Sequence, residues 1–153
     1  MRACRDGSAR GDLPVDVEVL RRRLRALERA IRALRALRAT GRDAFLTDDA
    51  TQDRVERNAQ IAAQVCVDIA LHILSASGSA APETYAESLA ALGALEIIDA
   101  KLAERLAGAA RLRNILVHAY ADVDHGRLFD ELGWIDDAVS FASAIERWLA
   151  AMK

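Results

Sequence analysis

The chain has 153 residues, the length of one domain with a single apolar core and too short for two comfortable ones. Hydrophobic residues make up 52% of it and aromatics only 5%, with Ala and Leu dominant, which excludes a sheet-rich fold and points to packed helices. Two cysteines, Cys4 and Cys66, cannot build a disulfide framework, so a reducing compartment is expected. No uninterrupted apolar run approaches the ~18 residues of a membrane helix, and Met1 to Asp12 has no signal-type segment, so the expected location is the cytoplasm, with no membrane partner. The net charge of −2 conceals an asymmetry: residues 1–42 hold 12 of the 21 basic and 5 of the 23 acidic side chains, a net +7 against −9 for the remainder.

Residues 1–12 lack periodic apolar positions and read as a disordered tail, which leaves 13–153 as one helical domain. From Pro14 onward Val17, Leu20, Leu24, Leu27, Ile31 and Leu34 recur at spacings of three and four, predicting one long amphipathic helix that Gly41 ends. Its outer face carries Arg21, Arg22, Arg25, Arg29, Arg32, Arg35 and Arg38. Such a row is either a solvated face or a contact for RNA phosphates or an acidic partner, since guanidinium forks match both kinds of oxygen. Thr47, Asp48, Asp49 and Thr51 offer N-cap side chains for a second helix with Val55, Ala59, Ala62, Cys66, Ile69 and Ile73 inside. His72 lies beside that stripe and reads as a packed, hydrogen-bonded histidine.

Ser75 to Ala81 reads as a loop, Pro82 to Leu92 as a short helix interrupted by Gly93, and Asp99 as the cap of a helix running through Leu102, Leu106 and Ala109. A last helix follows Gly126, with Leu128, Leu132, Ile135, Val139, Ala142, Ile145 and Leu149 inward. The expectation is an all-α antiparallel bundle of four to five helices. Gly-rich phosphate loops, zinc-spaced Cys or His pairs and a GxSxG elbow are absent from the sequence, so no cofactor or metal is expected. Asp122, Asp124 and His125 with Gly126 read as a turn in preference to a metal site.

The pattern changes at Arg113, Asn114, His118 and Tyr120, four polar groups within eight residues of an otherwise apolar helical segment. At ~100° per residue, position 120 lies about 20° to one side of 113, and positions 114 and 118 about 100° and 140° to the other. Asn114, one turn before His118, can hydrogen-bond it and fix its tautomer. Metal-free RNA cleavage needs a proton-transfer group near neutral pH and a fixed cation facing the phosphorane charge. His118 and Arg113 are the candidates; an Arg and a His satisfying carbonyls inside a bundle explain the bare residue types as well.

The Arg-x4-His-x-Tyr run from Arg113 to Tyr120 resembles the signature of HEPN toxins of the HepT type, which pair with the minimal nucleotidyltransferase antitoxin MntA. Thr51 to Asn58, followed by Ala62 and Cys66 to Ala70, is similar to that family's second helix, and Pro82 to Tyr85 to its approach to the next, so the likeness covers roughly Leu13 to Leu149. The resemblance implies an RNA endonuclease that works as a homodimer, with Arg113 and His118 catalytic, Asn114 beside them, and Tyr120 as the acceptor of AMP from the nucleotidyltransferase partner. Ala119 stands where a Gly is common in the family, and His72 where Asn is expected. A catalytically inert HEPN scaffold that binds a nucleotidyltransferase, or a plain dimerisation bundle, would not need His118.

Overall fold

A computed structural model describes residues 15–118 and 123–152, with the side chains of 112–118 outside the description. Among the described residues it is all-α, with seven helices and no strands: α1 (Val17–Ala39), α2 (Arg42–Thr47), α3 (Asp49–Ala76), α4 (Tyr85–Ala94), α5 (Ala100–His118), α6 (His125–Asp130) and α7 (Trp134–Ala151).

Helix α1 begins at Val17, later than the Pro14 start expected from sequence, because the Asp16 carboxylate accepts the Val19 N–H at 3.1 Å and caps the first turn. Pro14 itself lies outside the described residues. The expected stripe is buried from Leu20 to Leu37, packed on α3 and α7. Gly41, at φ +93°, turns the chain out of the helix as its position demanded.

Helix α2 was not legible in the sequence. Its six residues contain one inward side chain, Phe45, too few to show a period, and Gln52 of α3 fastens it from inside by donating to the carbonyls of Phe45 and Leu46, each at 3.1 Å. Asp48 caps α3: its carboxylate accepts the Ala50 N–H at 3.2 Å and the Thr51 hydroxyl at 2.6 Å. The Thr51 bond is the largest cause holding the Asp48 carboxyl below its ordinary value of 3.8.

Helix α3 is the middle of the bundle, in contact with α1, α2, α4, α5 and α7. By length and mean hydropathy it could cross a membrane, although Gln60, Gln64, Asp68 and His72 interrupt its apolar run as expected from sequence; half of its most apolar window is buried inside the bundle. Val55, Ala59, Ala62, Cys66, Ile69 and Ile73 form the inner stripe as expected. Burial pushes the Cys66 thiol up to about 12, which leaves it an inert apolar filler.

Helix α4 is opened by a capping box, with Thr84 Oγ1 accepting the Glu87 N–H at 3.1 Å and Glu87 returning a carboxylate to the Thr84 N–H. Gly93 does not interrupt this helix. It lies within it, and a Cβ there would stand 2.9 Å from the Ala103 Cβ, so the glycine is what lets α4 and α5 approach. Asp99 caps α5 as expected, accepting from Lys101 and Leu102 N–H.

The single last helix expected after Gly126 is two. Asp124 caps α6 by accepting the Arg127 N–H at 3.0 Å, the chain turns at Glu131–Gly133 with Leu132 fully buried, and α7 restarts at Trp134. Long-range partners hold α6 at this angle: Arg42 Nε bonds Asp130 at 3.0 Å, and the Arg42 guanidinium lies where a Cβ on Gly126 would be.

Candidate functional site

Helix α5 carries three of the four expected site residues. Its inner face, Leu102, Ala103, Leu106, Ala107, Ala109 and Ala110, is buried, which fixes how the rest of the helix is turned. Arg113, Asn114 and His118 fall in its last turns. Along a regular helix positions 113 and 118 are separated by a rise of about 7.5 Å, and 114 stands one turn before 118. The backbone therefore brings these three positions onto one short stretch of helix, while Tyr120 lies outside the described residues.

Upstream of the motif, the exposed side of α5 lines a groove shared with α6 and α7. Its lining includes Arg105, Gly108 and Arg111 from α5, Arg127 and Glu131 from α6 and the turn after it, and Trp134 at the start of α7. Arg105 Nε bonds Asp137 Oδ1 at 2.8 Å, and Arg127 Nε bonds Glu131 Oε1 at 2.8 Å. The Glu131 hydrogen bond raises the Arg127 guanidinium further above its ordinary value, so its charge is permanent. Arg111 is exposed and makes no ion pair or hydrogen bond with any described residue. Trp134 is only 9% exposed, and its indole Nε1, itself buried, has no hydrogen-bond partner among the described residues. No sequence feature singled out this group, although Arg105-x2-Gly108-x2-Arg111 forms one i+3 row that helical register alone would have exposed.

Downstream, the chain returns to the bundle at His125, whose Nε2 lies 2.6 Å from Glu56 Oε1 on α3, with the Phe45 ring edge-on at 6.0 Å. The turn expected around His125 is therefore an anchoring contact: it is the first residue of α6, and Asp124 is that helix's cap. Asp122 lies outside the described residues. His72 is hydrogen-bonded as expected, its Nε2 accepting the Asp16 N–H at 3.2 Å, which ties the start of α1 to α3. Of the arginines on α1, Arg25 pairs with Glu18 at 3.3 Å and Arg35 with Asp136 at 3.5 Å, all well exposed.

A family model described as Ribonuclease HepT-like matches residues 24–144. The tRNA nuclease HepT of Aphanizomenon flos-aquae (strain 2012/KM1/D3) is 37% identical over 87 residues, which are 57% of this chain and 59% of that protein, so the match spans less than two thirds of the relative's length. Among solved structures, the tri-AMPylated HEPN toxin of Shewanella oneidensis in complex with its MNT antitoxin superposes with a TM-score of 0.77 at 24% identity, over 85% of this chain and 98% of that one. YutE, a cytosolic protein of unknown function from Bacillus subtilis, superposes with a TM-score of 0.78 at 17% identity, over 90% and 93%. At these identities the two superpositions establish a shared fold.

Proposed function

From the premise that the chain belongs to the Ribonuclease HepT-like family, we propose that it is a metal-independent endoribonuclease toxin that cuts RNA with Arg113 and His118. The observation that carries the reading is the placement of Arg113, Asn114 and His118 in the last turns of α5, with the spacing of the HEPN signature. The helices from Val17 to Ala151 pack on one core and serve as one catalytic domain.

The ribose 2′-oxygen forms a bond to phosphorus as the bond to the 5′-oxygen of the next nucleotide breaks, leaving a 2′,3′-cyclic phosphate. His118 takes the proton of the 2′-hydroxyl, and water protonates the departing 5′-oxygen. Arg113 faces the phosphorane with a permanent charge and two donors for two oxygens, and Asn114 orients His118. One copy of α5 offers a single wall, so a homodimer supplies the second. The protein acts in the cytoplasm, where RNA and ATP are at hand.

Control is by a partner nucleotidyltransferase of the MntA type. The Tyr120 phenol oxygen attacks the α-phosphorus of ATP, pyrophosphate leaves, and the phenol proton passes to solvent. The attached AMP places a phosphate within reach of Arg113 and an adenosine in the way of RNA. The AMP-bearing Shewanella toxin of the same fold supports this reading.

The test is incubation of the pure protein with labelled tRNA, the substrate in the Aphanizomenon relative's name, in the presence of EDTA. Cleavage should persist, and His118→Ala should lower it by about a hundredfold or more. An unchanged rate in the variant ends the assignment, and no cleavage by the wild type favours an inert scaffold. Tyr120→Phe should still cut RNA yet gain no AMP by intact mass spectrometry after incubation with the partner enzyme and ATP.

A further inference from the structure

We propose that the groove lined by Arg105, Gly108, Arg111, Arg127 and Trp134 is a binding track for the phosphodiester backbone of the RNA, leading it along α5 to the cutting site; this rests on the ribonuclease reading above. Three guanidinium groups share the groove. The bonds recorded for Arg105 and Arg127 engage Nε, with Asp137 and Glu131, so each carboxylate holds its arginine in place and leaves the terminal nitrogens for two oxygens of a phosphate. Those two acids offset two of the three charges. Arg111 has no such partner among the described residues, so its charge is not offset by a neighbouring carboxylate there.

Gly108 points the same way. Glycine is disfavoured inside a helix, and Gly93 has a packing reason to be one, the approach of Ala103. Gly108 has none among the described residues: a Cβ there would meet nothing within 4 Å. What its absence provides is bare backbone between two arginines, room for a ligand chain to lie close. Trp134 supplies an independent sign. It lines the same groove nine-tenths buried, with an indole N–H that has no partner among the described residues, so it is a polar group that packing within the described bundle does not explain.

The direction of the track follows from register. Positions 105, 108 and 111 are successive members of an i+3 row, each turned about 60° from the last, and the next member is position 114, with 118 one turn further and about 40° around. Position 118 lies two turns past 111 and only about 20° around, so RNA on the side of 111 reaches it without crossing the buried face, while position 113 stands about 160° from 111. The α1 arginines have no comparable continuity with α5.

The test uses a fluorescent 2′-O-methyl RNA oligonucleotide, which lacks the attacking hydroxyl, so binding is read apart from cleavage. Anisotropy titrations of the full-length protein at several salt concentrations should show Arg111→Ala weakening binding and reducing the salt slope by about 0.7, the share of one phosphate contact on a single strand. Gly108→Glu, which fills open space and replaces a poor helix former, should leave the melting temperature unchanged or higher and weaken binding by more than about tenfold through like-charge repulsion of phosphate. On labelled tRNA both variants should raise KM more than they lower kcat. Unchanged affinity and slope in both variants overturn the track, and so does a loss of homodimer in Gly108→Glu by sedimentation, since the groove is then a protein interface. If the oligonucleotide binds with a groove-dependent slope but the wild type cuts no RNA, the track stands and the ribonuclease reading falls.

Discussion

Helices α1 and α5 both present arginine to solvent, and they do so for different reasons. On α1 every arginine from Arg21 to Arg38 named above lies outside a strictly periodic stripe, Leu20, Leu24, Leu27, Ile31 and Leu34, that is buried on α3 and α7. Burying that stripe explains the helix completely, and its exposed ion pairs, Arg25 with Glu18 and Arg35 with Asp136, contribute about 0–1 kcal/mol each. On α5 the apolar period is broken, by a glycine with no packing role and by Arg113, Asn114 and His118 in its last turns. The number of arginines is the poorer guide to a site. Departure from the pattern that folding requires is the better one.

The contrast is broken most directly by exchanging arginine for lysine on each helix. Arg113→Lys keeps a charge but loses the two-pronged contact, so RNA cleavage should fall by about a hundredfold or more, the scale of losing a preorganised donor. Arg22→Lys should change nothing measurable. Near-normal cleavage by Arg113→Lys would reduce Arg113 to a diffuse electrostatic role and erase the difference between the two helices.

Core truncation on α1 should act on stability alone. Leu27 is fully buried, and Leu27→Ala should cost about 3 kcal/mol in urea unfolding while the folded fraction cleaves RNA as before. A loss of kcat at full folding would mean that α1 reaches the site. At the start of α3, removing the Asp48 cap with Asp48→Ala should lower the urea midpoint near neutral pH. Because Thr51 lowers the Asp48 carboxyl in the folded state, that contribution is present above 3.8 and fades as acid protonates the folded form. Urea midpoints of wild type and variant should therefore converge as the pH falls below 3.8, and a constant gap would show that the ionised cap is not what stabilises the turn. Smallest of all, Arg22→Ala with Arg29→Ala should alter stability by no more than about 0.5 kcal/mol and leave cleavage untouched. A tenfold loss of RNA affinity would instead add the α1 face to the RNA surface.

Helices with long regular stripes were legible because burial imposes the period directly on sequence, as the interiors of α1 and α3 illustrate. The caps at Asp48 and Asp99 were legible too, since a short side chain satisfies local N–H groups. Helix α2 was not, because Phe45 alone carries no period, nor was the break between α6 and α7, where Leu132 is buried as if the stripe continued. His125 looked like part of a turn because Glu56 is 69 residues away in the chain.

Sequence alone thus determined the all-α class, the buried faces of α1 and α3, the caps of α3 and α5, and the spacing of Arg113, Asn114, His118 and Tyr120, all properties set within a few turns of one chain segment. Tertiary structure decided what requires two segments to meet. It made Gly93 a contact point against Ala103, made His125 the partner of Glu56, and gathered Arg105, Arg111, Arg127 and Trp134 from three elements around one groove. Hydrogen bonds and ion pairs act over a few ångströms in space, whatever the distance in sequence, so local periodicity carries no record of them.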